Sequence, residues 1–402
     1  MTTAFVQLLP LLSAPIVMRL YSPEEFGLFA VFAAFATILS TAGSLALHNA
    51  ILVENEDAGA IQAAVLALLV TVGMSVLIFV ALVVVPDRLL QSAFGSQAAR
   101  LLPWSALTVL MSGTLITIYT WFIRIGSYPL LTRSKLVQGL STVAVQIGIG
   151  WIQLGAIGLI FANIFGFVLA ILLLAPSFVR AASAHLEQLS RRSLLASFGQ
   201  HRALAIYTVP AQLINSIGSQ LPELLINRFF GAYLLGQYSL ANRVINQPLS
   251  FIAISAQDIF REKCSFEFRT SGNCKTSFST FFMALTVLSV AILIPLTLIA
   301  PTLFGFVFGS NWSDAGIFVQ ALAALIGVRF ISSPLSYVWI LRGRQRLDML
   351  WQVGLLLLTA GVFLGTSALW AKATLTDTLL VYSGVVGFWY VICIYLSYRF
   401  AR

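Results

Sequence analysis

Residues 61–85 read IQAAVLALLVTVGMSVLIFVALVVV. The run holds no charge and exceeds the roughly 20 apolar residues that a helix needs to cross the hydrocarbon layer of a bilayer. It has no polar face to turn toward water, so a helix built from it is surrounded by apolar material on every side. Eleven further apolar segments extend the pattern, giving approximate spans of 3 to 19, 26 to 48, 61 to 85, 102 to 123, 136 to 152, 155 to 176, 204 to 226, 233 to 256, 278 to 300, 316 to 340, 349 to 370 and 378 to 398. Composition agrees: 59% of the 402 residues are hydrophobic and 9% are charged, against about 25% charged in soluble domains. A surface facing water cannot be covered by so few charges. The expected fold class is an all-α polytopic membrane protein with about 12 transmembrane helices and no separate soluble domain.

The formal net charge is +9. Cytoplasmic loops of membrane proteins collect Lys and Arg, so topology must account for this charge before any anionic partner is invoked. With both termini cytoplasmic, 16 basic residues fall on the cytoplasmic side, among them Arg124, Arg180, Arg191, Arg192, Arg202, Arg342 and Arg402. Only Arg19, Arg88, Arg100, Arg228 and Lys372 fall outside, and the other two basic residues lie within spans. The bias sets the orientation and explains the basic balance without nucleic acid. Cys264, Cys274 and Cys393 form neither a paired framework nor a zinc-ligand spacing and are read as inert thiols. The N-terminus lacks the basic lead and cleavage site of a signal peptide, so the run ending at Met18 is read as a short first span.

The two halves echo each other. FGLFAVFAAFATILSTAGSLALHNAILVEN from Phe26 parallels LGQYSLANRVINQPLSFIAISAQDIFREK from Leu235 in its glycine, its length and its charged exit. FGSQ at Phe94 parallels FGSN at Phe308, and each opens a span that ends in an Arg-containing turn, Arg124 to Gly126 and Arg342 to Gly343. Gln138 and Gln352 then fall at the same offset as the FGS pair. Shared order over six spans per half predicts two six-helix lobes, 1–177 and 204–402, joined by a basic cytoplasmic linker at 178–203, an organisation expected of transporters.

Polar residues within the second half are aligned. At 100° per residue, Thr208, Gln212, Asn215, Ser216, Ser219 and Glu223 share a face of the seventh span; Gly236, Ser239, Arg243, Asn246, Gln247, Ser250 and Gln257 share a face of the eighth. Arg329, Ser332, Ser333 and Ser336 do so on the tenth. Stripes of Ser, Thr and Gly ordinarily mark helix packing. The arginines change that balance, because Arg243 and Arg329 lie about 15 to 20 Å from the outer end of their spans, too deep to snorkel easily. A central arginine costs at least about 2.5 kcal/mol and faces a partner or a watery cavity. Two readings stand: a salt bridge with Glu223, or cationic sites lining a cavity. Glu223 lies near the outer end of its span with Arg228 beside it, which favours the second. The expected binding residues are Arg243, Arg329, Asn246, Gln247, Gln212 and Asn215, with Glu223 as the candidate for ion coupling. Asp258 reads as a solvated cap and His48 as a satisfied histidine at a helix end.

No catalytic group, metal set or cofactor motif emerges. The connections are short, and none carries a glycine-rich phosphate loop. A chain that cannot hydrolyse nucleotides moves its substrate by a gradient or by coupling to synthesis, which points to a secondary transporter rather than an enzyme.

RLYSPEEFGLFAVF from Arg19 and GQYSLANRVINQPLSFIAISAQDIF from Gly236 resemble bacterial polysaccharide repeat-unit flippases, the Wzx-like, oligosaccharidyl-lipid branch of the MOP exporter superfamily. The resemblance covers nearly the whole chain, apart from a longer basic lead before the first span of similar proteins. It implies passage of an undecaprenyl-pyrophosphate-linked oligosaccharide across the inner membrane, with polysaccharide polymerase and chain-length machinery as further partners. Cationic cavity residues of relatives meet the anionic carrier, a role that suits Arg243 and Arg329. The rivals are a multidrug or small-solute antiporter of the same superfamily, which wants an acidic cavity, and a membrane polysaccharide polymerase or ligase.

The charge bias makes the topology testable. In a background lacking the native cysteines, Ser183→Cys should be labelled only from the cytoplasm and Ser310→Cys only from outside intact cells. Labelling of position 310 from the cytoplasm alone reverses the orientation.

Overall fold

The computed structural model describes residues 2–185, 189–370 and 372–402, with side chains from Leu9 onward. Each of the twelve expected spans lies on a helix: α1 (Thr2–Leu20), α2 (Pro23–Gly43), α3 (Asp57–Val84), α4 (Ser105–Arg124), α5 (Tyr128–Ile152), α6 (Gly155–Ser183), α7 (209–230), α8 (232–271), α9 (Lys275–Phe308), α10 (Ser313–Leu335), α11 (Gln345–Leu369) and α12 (Leu375–Ala401). No strand occurs among the described residues. Eight of these helices are long and apolar enough to cross a membrane: α2, α3, α4, α6, α9, α10, α11 and α12. The others fall short for local reasons. The described apolar part of α1 is short, α5 carries Arg133, Lys135 and Gln138, and α7 and α8 carry the polar stripes.

Local chemistry sets the helix ends. Ser22 caps α2: its hydroxyl accepts from the Glu25 amide at 3.3 Å while the Glu25 carboxylate accepts from the Ser22 amide at 2.8 Å, with Pro23 at the first helical position. Thr374 and Asp377 cap α12 in the same way. Once started, the helices bury small residues and turn large apolar ones outward. In α3, Ala60, Ala63, Ala64, Ala67 and Thr71 are buried, whereas Val72, Val76, Val80 and Val84 are about half exposed or more. This reverses the soluble pattern and suits a helix packed through small residues with its outer face in lipid. Gly316 of α10 shows the limit of that approach, because a Cβ there would meet the Pro301 Cα of α9 at 2.4 Å.

The chain forms two compact units, Met1–Ala232 and Tyr233–Arg402. The first holds α1 to α7. Within it α5 packs on α6 and α1, and α4 packs on α2 and α3. The second holds α8 to α12, with α10 packed on both α9 and α12. The helix 209–271 is broken at Gly231, whose backbone (φ 86°, ψ 172°) leaves the helical region. The stretch expected to join two lobes, 178–203, lies inside the first unit, and its residues 186–188 are outside the described residues. Its helix Arg191–Ala203 docks on α3: Leu194 packs beside Leu47, Leu66 and Ala67, and His201 pairs with Glu54 at 2.6 Å.

The internal repeat reappears as turn geometry. After α4, Gly126 (φ 68°) takes a left-handed conformation and the Ser127 amide reaches back to the Phe122 carbonyl at 3.0 Å. Before α11, Gly343 (φ 66°) does the same, with the Arg344 amide on the Trp339 carbonyl at 2.8 Å. These are glycine-terminated helix ends of one type. The arginine of each turn serves a shared purpose that charge counting missed. Arg124 is no solvated topology marker: its guanidinium donates to the carbonyls of Ile51 (2.8 Å), Glu54 (2.5 Å) and Asn55 (3.3 Å) and meets Asp57 at 3.1 Å. Arg342 donates to the Phe400 carbonyl at 2.7 Å and lies over the Phe268 ring at 4.6 Å.

A second difference concerns α8. Its expected end was 256, but the helix runs to 271, about 60 Å at 1.5 Å per residue and twice the hydrocarbon thickness. Its C-terminal end is stitched to α9 by Glu267, whose carboxylate accepts from the amides of Thr276 (3.0 Å) and Ser277 (2.8 Å). Partial burial works against that charge, but the hydrogen bonds from Ser277 and Thr276 outweigh it and hold the carboxyl below the usual carboxylate range.

Two outcomes are expected. Arg124→Ala strands several backbone carbonyls and should lower the thermal unfolding midpoint of the purified protein, each charge-assisted bond being worth about 1.5 to 3 kcal/mol. Arg124→Lys should recover little, since one ammonium cannot reproduce the fork. A wild-type midpoint for Arg124→Ala would refute the clamp. Glu267, with its folded pKa depressed, contributes stability that is present above the unfolded value and is lost as pH falls through the folded one. Glu267→Gln should therefore melt below wild type at neutral pH, and the gap should close as pH is lowered from about 4.5. A gap independent of pH would remove the ionised cap from the account.

Candidate functional site

The polar face of α7 opens onto a cavity of about 480 Å³. Thr208, Gln212, Asn215, Ser216 and Ser219 line it from the α7 side, and Thr41 lines it from α2. The sequence places them there through helical spacing, four positions then three, and the chain delivers them through an irregular entry. Residues Leu204–Thr208 form a π-helical turn, followed by Pro210, which lacks an amide to donate. Among the described residues neither the Gln212 nor the Asn215 amide has a hydrogen-bond partner, and both are exposed to the cavity. Ser216 Oγ is buried and equally without a partner. The structure therefore brings Gln212 and Asn215 together. Glu223 is half-buried two turns farther along α7, about 12 Å from Asn215 along the axis, and does not line this cavity.

The remaining expected residues belong to the second unit. On α8, Arg243, Asn246 and Gln247 are half-buried. Asn246 donates its amide to Asn242 Oδ1 one turn back, and Gln247 Oε1 is buried with no partner among the described residues. On α10 the aligned set divides. Arg329 is exposed, whereas Ser332 is buried and bonds the Cys393 thiol of α12. Ser332 thus serves packing: it lies only about 60° round the helix from Arg329, but on the part of that face that α12 covers.

Sequence reading overlooked two tyrosines. Tyr382 and Tyr390 of α12 both interact electrostatically with the Arg329 guanidinium. Tyr382 is held by the Thr359 hydroxyl of α11, and Tyr390 packs edge-on against Trp351 at 5.0 Å. Nothing in their spacing marked them, since α12 also carries Thr376, Thr378, Ser383, Tyr395, Ser397 and Tyr398. The Glu54–His201 pair was also missed, since its partners are far apart in the chain. His48 is satisfied locally, its Nδ1 lying 2.7 Å from the Ser44 hydroxyl. Cys264 and Cys274 are buried side by side with their thiols hydrogen-bonded, a juxtaposition that spacing alone did not reveal. Among the described residues no cluster of His, Cys, Asp or Glu has a metal-binding arrangement.

With this geometry established, comparison with known proteins defines the class. Residues 16–316 match the family of polysaccharide biosynthesis proteins, and the chain belongs to that family. The teichuronic acid biosynthesis protein TuaB of Bacillus subtilis (strain 168) is 27% identical over 201 residues, 48% of this chain and 41% of that protein. The match therefore spans less than half the length of this curated relative. Among solved structures, the lipid II flippase MurJ in an inward closed conformation superposes with a TM-score of 0.72 at 12% identity, covering 99% of this chain and 86% of that one. An inward-facing multidrug resistance MATE family transporter of the MOP superfamily gives 0.65 at 16% identity, covering 98% and 94%. The protein is thus an all-α, multi-pass membrane protein with about twelve transmembrane helices and the two-lobe MOP fold. The resemblance carried by the segments from Arg19 and Gly236 is borne out.

Proposed function

We propose that the protein is a secondary transporter that flips a lipid-linked oligosaccharide repeat unit across the bacterial inner membrane by alternating access, for surface polysaccharide biosynthesis. The observation that carries this reading is Arg243, half-buried about three turns into α8 and on one face with Asn246 and Gln247, in a member of a polysaccharide biosynthesis family. An undecaprenyl-pyrophosphate carrier is multiply anionic, and guanidinium forks with amide side chains replace the hydration it loses. Arg243 and Arg329 bind the anionic part, Asn246 and Gln247 assist, and Gln212 and Asn215 meet the glycan. The polyprenyl tail stays in the bilayer. Rocking follows the sequence repeat, with lobes 1–177 and 204–402, the linker 178–203 between them and both termini in the cytoplasm. Glu223 is the candidate for ion coupling. Polymerase and chain-length machinery receive the product, and the protein itself makes or breaks no bond. An antiporter for organic cations would want acidic groups on these faces, where arginines stand instead.

Arg243 supplies the test. Surface polysaccharide is measured per unit of membrane-inserted protein in a strain lacking its own exporter. Arg243→Ala should reduce export about tenfold or more, from loss of charge-assisted bonds worth about 1.5 to 3 kcal/mol each. Arg243→Lys, which keeps the charge and loses the planar fork, should retain partial export. Normal export by Arg243→Ala at normal abundance would sink the binding role. Elongation or transfer of glycan by the pure protein would make it an enzyme instead.

A further inference from the structure

We propose that the cavity between α2 and α7 is a saccharide subsite that takes uncharged, hydroxyl-rich sugar residues and excludes anions. The proposal rests on the reading of the protein as a glycan transporter and adds which part of the cargo this cavity recognises.

Four observations converge. The lining offers carboxamides and hydroxyls, Thr41, Thr208, Gln212, Asn215, Ser216 and Ser219, with no Asp, Glu, Lys or Arg among them. Each of these groups has both donor and acceptor capacity, as does every sugar hydroxyl, so the two surfaces match without any charge. A phosphate or carboxylate held against this face would meet no cation to compensate its charge. A metal ion would lack the carboxylates that hard cations require. Second, the capacity is unspent: the Gln212 and Asn215 amides have no partner among the described residues. Third, Ser216 lines the cavity with 8% of its surface exposed, and its hydroxyl is buried without a partner. Buried polar groups are ordinarily paired, so the unpaired Ser216 hydroxyl beside two exposed amides marks a place completed by a polar guest. Fourth, the volume of about 480 Å³ falls within the roughly 300 to 1,000 Å³ of ligand sites. A stripe of small polar residues used only for helix packing would be closed by its neighbour, as Ser332 is by α12.

Ala211 also lines the cavity and provides a reporter, because its side chain makes no hydrogen bond. In the full-length protein in membranes, Ala211→Cys is alkylated with a maleimide, and wild type with its three buried cysteines sets the background. Maltotriose or chitotriose at millimolar concentration should slow the reaction at least about threefold by occupying the hydrogen-bonding face. Inorganic pyrophosphate and glucuronate should leave the rate unchanged. Adding Gln212→Ala or Asn215→Ala should abolish protection by the sugar, while an unaltered rate without sugar reports an intact cavity. Protection by pyrophosphate, protection that survives both substitutions, or no protection by either trisaccharide would overturn the proposal. Translocation of lipid-linked oligosaccharide by the reconstituted wild type is read separately. Translocation without sugar protection removes the subsite and keeps the transporter, and protection without translocation does the reverse.

Discussion

Inside the hydrocarbon layer no water is available to a stray amide, carbonyl or charge, and nearly everything in this chain follows from that constraint. It makes the spans helical and pushes large apolar side chains outward. It also sends most guanidinium groups to the ends, where Arg124 and Arg342 find carbonyls left open by the loops around them. The few polar groups that stay at depth need a reason. Ser332 has one in the thiol of Cys393 and Tyr382 has one in Thr359. Gln212, Asn215 and Ser216 have none supplied by the described protein.

The two halves reuse one solution for leaving the membrane. A helix ends on a left-handed glycine, the next amide closes back across five residues, and the arginine at the turn folds over neighbouring carbonyls. The acceptors differ: Arg124 holds the segment between α2 and α3, whereas Arg342 holds the chain's last residues and the α8–α9 turn. A repeat at this level preserves backbone geometry more strictly than side-chain identity, which explains why the resemblance of the halves is faint when read as letters.

Spans and stripes were legible because apolar length and 3.6-residue spacing are local properties. The stripe with Gln212 and Asn215 lines one cavity as far as Ser219, though not at Glu223, for spacing decides which residues share a face. Spacing does not decide what covers that face, so the stripe through Arg329 and Ser332 divided into an exposed arginine and a packed serine. The far end of α8 was illegible for a different reason. Residues 257–271 carry Asp258, Arg261, Glu262, Lys263, Glu267 and Arg269, which read as the end of a span, and their helix is secured by Glu267 and by packing around Phe260, Cys264 and Phe278. Likewise, the placement of 178–203 inside the first unit depends on Leu194 and His201 finding partners more than a hundred residues away.

The turn between α8 and α9 has further meaning when the helices are viewed as a mechanical element. Two helices of roughly 60 and 50 Å, joined by three residues and riveted at the tip by Glu267, form a stiff boom with its fulcrum in the membrane. Tilt about that fulcrum is magnified at the free end in proportion to the projecting length. The same piece that carries half-buried Arg243 therefore displays its angle at the α8–α9 turn as a displacement.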